Sequence, residues 1–421
     1  MMSPQTHATS TLDDPALDDS AVEDAATAER LIAFARDLRP ELVARAAEFE
    51  DLTHIPEDLH HRLDEAGLYG MWMPKAHGGL EVSIETYYRV VIELARGDVS
   101  FAWCFALSAN HSLMVANWFP VDVHAEIFNG GDFRAASMAA PAVTATATDG
   151  GFLINGTVPF CSGIPWSTFF LGQARLDGKN ADGSPRLGIY VAPKGTYEIL
   201  DDWGNMHGLN GTGSNSIRFE NAFLPQRFMV EDADLRTVGM QGDSPGSAEY
   251  GNPMYSGRHG SSFAMILAAL VIGGGYGALD EFGEQMRTRT ITVPPWTPRT
   301  EDPDFLRYYG KTRVRVGIAE SALLHLVHEW ERFARENVAR IADFSPARDN
   351  LLAAQGRDLM IDVWNTVDEN LYQTIGASAS RRGERFERIF RDLAQAAAHR
   401  NPQLRDIMYK VVAKQELGLA L

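Results

Sequence analysis

At 421 residues, the chain is long enough for two or three domains, or for one composite unit with a large core. Its net charge of -18 disfavours nucleic acid and anionic membranes as partners. The two cysteines, Cys104 and Cys161, lack metal-ligand spacing, which indicates a reducing compartment and no metal site. No apolar run approaches transmembrane length and no export signal is recognised, so we expect a cytoplasmic protein without a membrane partner.

The N-terminal part divides into an acidic tail and a helical domain. Seven acidic residues and no Lys or Arg lie in Met1–Glu29, and we expect a disordered tail over residues 1–24. Apolar residues at helical spacing then predict an N-terminal helical domain over residues 25–128. Within it, Pro40 is expected to divide the first helix. Further helices are predicted over Ile84–Ala95, capped by Ser83, and over Val99–Phe119.

Short apolar runs interrupted by glycine fill the middle of the chain. Their pattern is typical of antiparallel strands joined by tight turns, and it predicts a small antiparallel β domain over residues 129–240. The predicted turns are Asp149-Gly150-Gly151, Asn155-Gly156, Asp182-Gly183 and Pro193-Lys194-Gly195.

Long helical patterns return over residues 241–421, where they predict an antiparallel bundle of about four helices. The loops Gly239–Pro253 and Arg289–Pro303 are expected to shape a pocket. The fold class predicted for the whole chain is α+β.

Three stretches within this order of domains resemble the acyl-CoA dehydrogenase superfamily. They are IPEDLHHRLDEAGLYGMWMPKAHGG, FLINGTVPFCSGIPWSTFFL and DDWGNMHGLNGTGSNSIRFENAFLPQRFMV. The resemblance covers nearly the whole chain after the tail. It implies an acyl-CoA dehydrogenase-like fold, with an N-terminal helical domain, a central antiparallel β-barrel or sandwich, and a C-terminal four-helix bundle.

This superfamily contains two chemistries. Many of its dehydrogenases carry a carboxylate base in a Tyr-Glu-Gly-Thr motif that follows an Arg-Asp pair. Here Arg391-Asp392 is present, but Ala396, Ala397, Ala398 and His399 stand where that motif would be. Glu249 and Glu369 are the candidates for a relocated base, so an acyl-CoA dehydrogenase of that kind remains an alternative.

The second chemistry is that of two-component flavin monooxygenases similar to 4-hydroxyphenylacetate 3-hydroxylase and dibenzothiophene monooxygenase. Their pattern matches Phe101-Ala102-Trp103 followed by His111, and Phe390-Arg391-Asp392 followed by Ala398-His399. The resemblance implies that a separate flavin reductase supplies reduced flavin, FMNH2 or FADH2. A C4a-hydroperoxide formed with O2 would then oxygenate the substrate.

The same resemblance assigns three catalytic candidates. Ser162 would accept a hydrogen bond from the flavin N5–H, although a serine in a hairpin also satisfies its own backbone. His111 and His399 would deprotonate a phenol or orient the peroxide. The alternatives are a core histidine for His111 and a surface histidine for His399.

The resemblance implies that six further residues, together with Ser162, bind the cofactor. Trp103 would border the flavin ring, Ser137 and Ser162 match family serines, and Thr212 and Ser214 lie in a turn that could cradle flavin oxygens. An arginine at the end of the long apolar helix, Arg287 or Arg289, would reach the flavin phosphate of a neighbouring subunit. Structurally, the same cations complement a helix dipole.

We therefore expect a homotetrameric oxygenase component that hydroxylates a small aromatic or heteroaromatic substrate of phenol or indole type. N- or S-oxygenation on the same fold is the first alternative. A catalytically silent flavin-binding or scaffold protein is a further one.

Overall fold

The structure, a computed structural model, describes residues 25–234 and 244–419. The predicted tail over residues 1–24 and part of the predicted loop at Gly239–Pro253 lie outside the described residues. The helices are α1 (Ala25–Leu52), α2 (Glu57–Glu65), α3 (Ile84–Gly97), α4 (Val99–Ala109), α5 (His111–Trp118), α6 (His124–Phe128), α7 (Pro245–Tyr250), α8 (His259–Thr288), α9 (Pro303–Val338), α10 (Pro346–Val367), α11 (Gln373–Ile375), α12 (Arg385–Ala397) and α13 (Arg405–Glu416). The strands are β1 (Ala135–Thr148), β2 (Gly151–Val158), β3 (Phe169–Lys179), β4 (Pro185–Pro193), β5 (Glu198–Ile199), β6 (Ile217–Pro225) and β7 (Met229–Glu231).

The first helix is not divided as predicted. Helix α1 runs unbroken through Pro40. A proline removes the N–H that would bond to the carbonyl four residues earlier, here that of Arg36. Arg39 Nε donates to this carbonyl over 3.2 Å and so satisfies it.

The helices after α2 agree with the prediction at the start of α3 and differ from it at Asn110. Ser83 caps α3 as predicted, because its side chain accepts from the Thr86 N–H. The predicted helix over Val99–Phe119 is instead two helices that meet at Asn110. Every residue of α4 and α5 is buried.

The expectation that no apolar run reaches transmembrane length was wrong. Val99–Trp118 and His259–Thr288 are long and apolar enough to cross a membrane. Both segments are largely buried inside the protein. They are therefore accounted for as core helices.

Seven strands form one sheet in the order β5-β6-β2-β1-β3-β4-β7. All neighbouring pairs are antiparallel except β1 and β3, which are parallel. A tight turn at Gly150 joins β1 to β2 as predicted, but Asn155-Gly156 is a bulge inside β2 and not a turn. Strand β3 pairs with β1 on the side away from β2, so the connection between β2 and β3 crosses the end of the sheet. Gly163 in this connection lies against α4.

Helix α8 is the centre of the C-terminal part and packs against α3, α9, α10 and α12. A Cβ atom at Gly273 would lie 2.4 Å from the Ile92 carbonyl oxygen, so glycine permits the close approach of α8 to α3. The predicted α+β class and the order of helical, sheet and helical parts are confirmed.

Candidate active site

Three hydroxyl side chains and one indole form a continuous hydrogen-bonded chain. Ser162 Oγ lies 2.8 Å from Ser214 Oγ, which lies 2.6 Å from Thr212 Oγ1. Trp103 Nε1 donates to Ser162 Oγ over 3.3 Å. The structure therefore brings four of the predicted residues together, one from α4 and three from two loops of the sheet.

The direction of this hydroxyl chain follows from its far end. Thr212 Oγ1 donates to the Leu209 carbonyl over 2.8 Å, since a carbonyl can only accept. Thr212 must then accept from Ser214, and Ser214 from Ser162. Ser162 accepts in turn from Trp103, and its oxygen retains a second acceptor position for an incoming N–H or O–H donor.

The loop that carries Ser162 packs closely against α4, and a glycine beside Ser162 permits this close approach. Gly163 has φ of 80°, and a Cβ atom there would lie 2.2 Å from Ser108 Oγ. Phe160, on the other side of Ser162, is also left-handed at φ of 60° and is exposed. A bulky residue in this conformation is strained, and such residues cluster at ligand sites.

His399 lies at the edge of the hydroxyl chain. Its ring centroid is 5.4 Å from that of Trp103, in an edge-on arrangement. His399 Nδ1 accepts from the Asn401 N–H over 3.2 Å. Burial lowers the pKa of His399 to about 4, so the imidazole is neutral at physiological pH.

His111 forms a separate part of the site, at the start of α5, whereas Trp103 lies on α4. It is 1% exposed, and its Nδ1 lies 2.6 Å from the Ala135 carbonyl oxygen of β1. Nδ1 must carry the proton, because a carbonyl only accepts. Nε2 is then a buried acceptor that has no partner among the described residues. Burial lowers the pKa of His111 to about 4.

Ser137 is also on β1, two residues beyond Ala135 and therefore on the same face of the strand. Its backbone pairs with Leu171 of β3. Ser137 is thus two residues along β1 from the carbonyl that His111 contacts.

The two predicted phosphate-binding arginines, Arg287 and Arg289, have different contacts. Arg287 is exposed and pairs with Glu284 on its own helix. Arg289 Nη1 donates to Ser378 Oγ over 2.5 Å, and the Arg299 N–H donates to the Arg289 carbonyl over 3.0 Å.

Arg299 is a site candidate that the sequence reasoning missed. It is 5% exposed, and its Nε and Nη1 have no hydrogen-bond partner among the described residues. Its guanidinium carbon lies 4.4 Å from the centroid of the Phe305 ring. Burial and the charge of Arg289 lower the pKa of Arg299. In the sequence, only the proline-rich loop around Arg299 pointed to it. In the structure, this loop forms a hairpin that brings Arg299 back to the end of α8.

Asp392 of α12 links α4 to the loop that carries Leu209 and Thr212. One carboxylate oxygen accepts from the Leu209 N–H over 2.6 Å, and the other accepts from Ser100 Oγ over 3.1 Å. Burial and the neighbouring Asp98 raise the pKa of Asp392 to about 7. From the sequence, Asp392 was noted only as part of the Arg391-Asp392 pair.

The two carboxylates considered as relocated bases lie on the surface. Glu249, at the end of α7, and Glu369, in the turn after α10, are both exposed. Ala396 and Ala397 are buried beside His399, at the position where the dehydrogenase motif was sought. The arrangement around Trp103 supplies neutral donors and acceptors.

Comparisons with known proteins agree with this fold. The acyl-CoA dehydrogenase N-terminal domain matches residues 25–119, and the acyl-CoA dehydrogenase C-terminal domain matches residues 265–403, together more than half of the chain. The p-hydroxyphenylacetate 3-hydroxylase oxygenase component of Acinetobacter baumannii is 24% identical, over 91% of this chain and 88% of that protein.

Two further relatives extend over nearly their whole length. The flavin-dependent monooxygenase oxygenase subunit HsaA of Mycobacterium tuberculosis is 26% identical, over 93% of this chain and 96% of its own. The crystal structure of XiaF from Streptomyces, in complex with FADH2 and glycerol, superposes with a TM-score of 0.81 at 22% identity, over 94% and 97% of the two chains. By both domain matches, this chain belongs to the acyl-CoA dehydrogenase superfamily, and its relatives include oxygenase components of flavin-dependent monooxygenases.

Proposed function

We propose that the protein is the oxygenase component of a two-component flavin-dependent monooxygenase. It takes FMNH2 or FADH2 from a separate reductase and uses O2 to hydroxylate a small aromatic or heteroaromatic substrate. The observation that carries this proposal is the hydroxyl chain ending at Ser162, with neutral His399 at its edge and alanines in place of a base.

The described residues fit a flavin. The second acceptor position of Ser162 suits the N–H of a reduced flavin ring. Arg299, whose Nε and Nη1 lack a hydrogen-bond partner within residues 25–234 and 244–419, and the neighbouring Arg289 suit a flavin phosphate. Reduced flavin, when bound, supplies the electrons that activate O2 and delivers one oxygen atom to the substrate.

Each protein group has a defined task in this proposal. Ser162 accepts from the flavin N–H and so retains that proton, whose loss would release hydrogen peroxide. Trp103 fixes the orientation of the Ser162 hydroxyl. The buried apolar helices α4 and α5 exclude water from the site, which strengthens each of these hydrogen bonds.

The state of His111 favours phenol or indole substrates. Its buried Nε2 is an acceptor with no hydrogen-bond partner in the described part of the chain, and it requires an O–H or N–H donor. Phenols and indoles carry such a donor, whereas a thioether does not. We therefore place C-hydroxylation ahead of S-oxygenation, with N-oxygenation of an amine that retains an N–H as the second candidate.

The chain has an exposed apolar stripe that supports assembly into the expected homotetramer. Leu306, Val314 and Ile318 lie on one face of α9 and are 51%, 60% and 58% exposed. Burying them against other copies removes apolar surface from water. We propose that the assembled enzyme acts in the cytoplasm.

Anaerobic mixing with reduced flavin, followed by oxygen, tests this function. We expect a transient absorbance from oxygenated flavin whose decay forms hydroxylated product from a phenol or an indole. FMNH2 and FADH2 are compared in parallel, with amines and thioethers as alternative substrates. Tight binding of oxidised FAD, together with its bleaching by an acyl-CoA, would instead identify a dehydrogenase.

A further inference from the structure

The hydrogen bond from Asn401 determines which nitrogen of His399 carries the proton. The Asn401 backbone N–H can only donate, and it points to His399 Nδ1 over 3.2 Å. Nδ1 is therefore the unprotonated nitrogen, and a neutral imidazole must carry its proton on Nε2. His111 has the opposite tautomer, because its Nδ1–H donates to the Ala135 carbonyl.

A buried arginine holds Asn401 in this position. Arg357 of α10 is 6% exposed, and its Nε donates to both the carbonyl oxygen and Oδ1 of Asn401, over 3.1 and 3.0 Å. The turn is bound a second time where Gln403 Nε2 donates to the Ala397 carbonyl over 3.0 Å. Two independent contacts thus fix the backbone that follows α12.

We propose that Asn401 and Arg357 are positioning residues that hold His399 as the Nε2–H tautomer. His399 then donates a hydrogen bond to an oxygen atom in the site, and His111 accepts one from the substrate. The two neutral histidines therefore have complementary tasks. The division of tasks rests on the proposed function, whereas the tautomer is a property of the protein without flavin.

The low pKa of His399 supports this assignment. Burial lowers it to about 4, so the ring does not gain a second proton on Nδ1 near neutral pH. A charged ring would have to break the bond from the Asn401 N–H, because both of its nitrogens would be donors. Burial and this hydrogen bond therefore favour the same state.

The tautomer is read by solid-state NMR on flavin-free protein labelled with 15N-histidine, with His399→Gln to assign the signal. We expect a directly bonded proton on Nε2 of His399 and none on Nδ1. A proton on Nδ1 in the unmodified protein would overturn the proposal. The result does not depend on whether the protein oxygenates anything.

Two substitutions at Asn401 distinguish the contribution of its backbone N–H from that of its side chain. Asn401→Pro removes the donor, and the native φ of -63° is compatible with proline. Asn401→Ala keeps the N–H and loses only the side-chain amide, including the Oδ1 that accepts from Arg357. We expect Asn401→Pro to mix the tautomers and to lower hydroxylation per O2 consumed by roughly tenfold, the rate equivalent of one hydrogen bond.

Asn401→Ala should keep the Nε2–H signal and most of the coupling. Equal coupling in the two variants would contradict the positioning role, even with the expected tautomer. If Asn401→Pro does not fold, Arg357→Met provides the second variant, with a mixed tautomer expected. An unchanged, single Nε2–H signal in Arg357→Met would refute its part in the proposal. The expected tautomer in a protein that fails to oxygenate any substrate would refute the proposed function alone.

Discussion

Replacing Ser162 with alanine removes the acceptor at the end of the hydroxyl chain. The substitution takes away the oxygen that receives the Trp103 N–H and, in the proposed function, the flavin N–H. A net hydrogen bond contributes about 0.5–1.5 kcal/mol, and about 1.4 kcal/mol corresponds to a tenfold change in rate. We therefore expect peroxide release from the oxygenated enzyme to accelerate by roughly threefold to tenfold.

The assay mixes variant and reduced flavin anaerobically, adds oxygen, and measures hydrogen peroxide and hydroxylated product per O2 consumed. Trp103→Phe is the matched control, because it removes the donor to Ser162 but keeps the Ser162 oxygen. Its peroxide yield should rise less than that of Ser162→Ala. The reasoning is refuted if Ser162→Ala binds reduced flavin normally and releases no more peroxide than the unmodified enzyme.

Three further substitutions test other parts of the site. Arg299→Met should raise the dissociation constant for FMN by roughly 10- to 100-fold, as loss of a charged hydrogen bond implies, while binding of riboflavin, which has no phosphate, stays unchanged in fluorescence titrations. Equal losses for both ligands would contradict a phosphate contact. Gly163→Ala should destabilise the protein by about 2 kcal/mol or more in urea unfolding, from the left-handed backbone and the contact with Ser108 Oγ, and Ser108→Ala should recover only the second part. Asp392→Asn tests the buried carboxyl, whose folded pKa of about 7 lies above its unfolded value. The native state then binds the proton more tightly, so the wild-type free energy of unfolding should fall as pH rises from about 4 to 7, and Asp392→Asn should show a shallower fall. Identical pH profiles would exclude this linkage.

Local sequence accounts for several parts of the fold and the site. Ser83 caps its helix because a hydroxyl beside the first N–H groups is a short-range interaction. The turn at Gly150 likewise follows from a backbone that needs positive φ. The motifs around Trp103, Ser162 and His399 also indicated residues that the fold does bring together.

Two features of the fold differ from the prediction because of specific hydrogen bonds that residue type alone does not reveal. Asn155-Gly156 has the composition of a turn, but pairing with β6 holds it as a bulge within a strand. Pro40 stays in a helix because a neighbouring arginine satisfies the freed carbonyl. In both cases long-range packing or a side-chain bond outweighed the local preference.

The sequence by itself determined the order of helices and strands, the superfamily and most candidate side chains, because these depend on spacing and residue type. Only the tertiary structure decided the direction of the hydroxyl chain, the opposite tautomers of His111 and His399, and the pairing of Arg299 with Arg289. These hydrogen bonds depend on distances of a few tenths of an ångström, whether their partners are near or far apart in the chain, and no periodicity in the sequence records them.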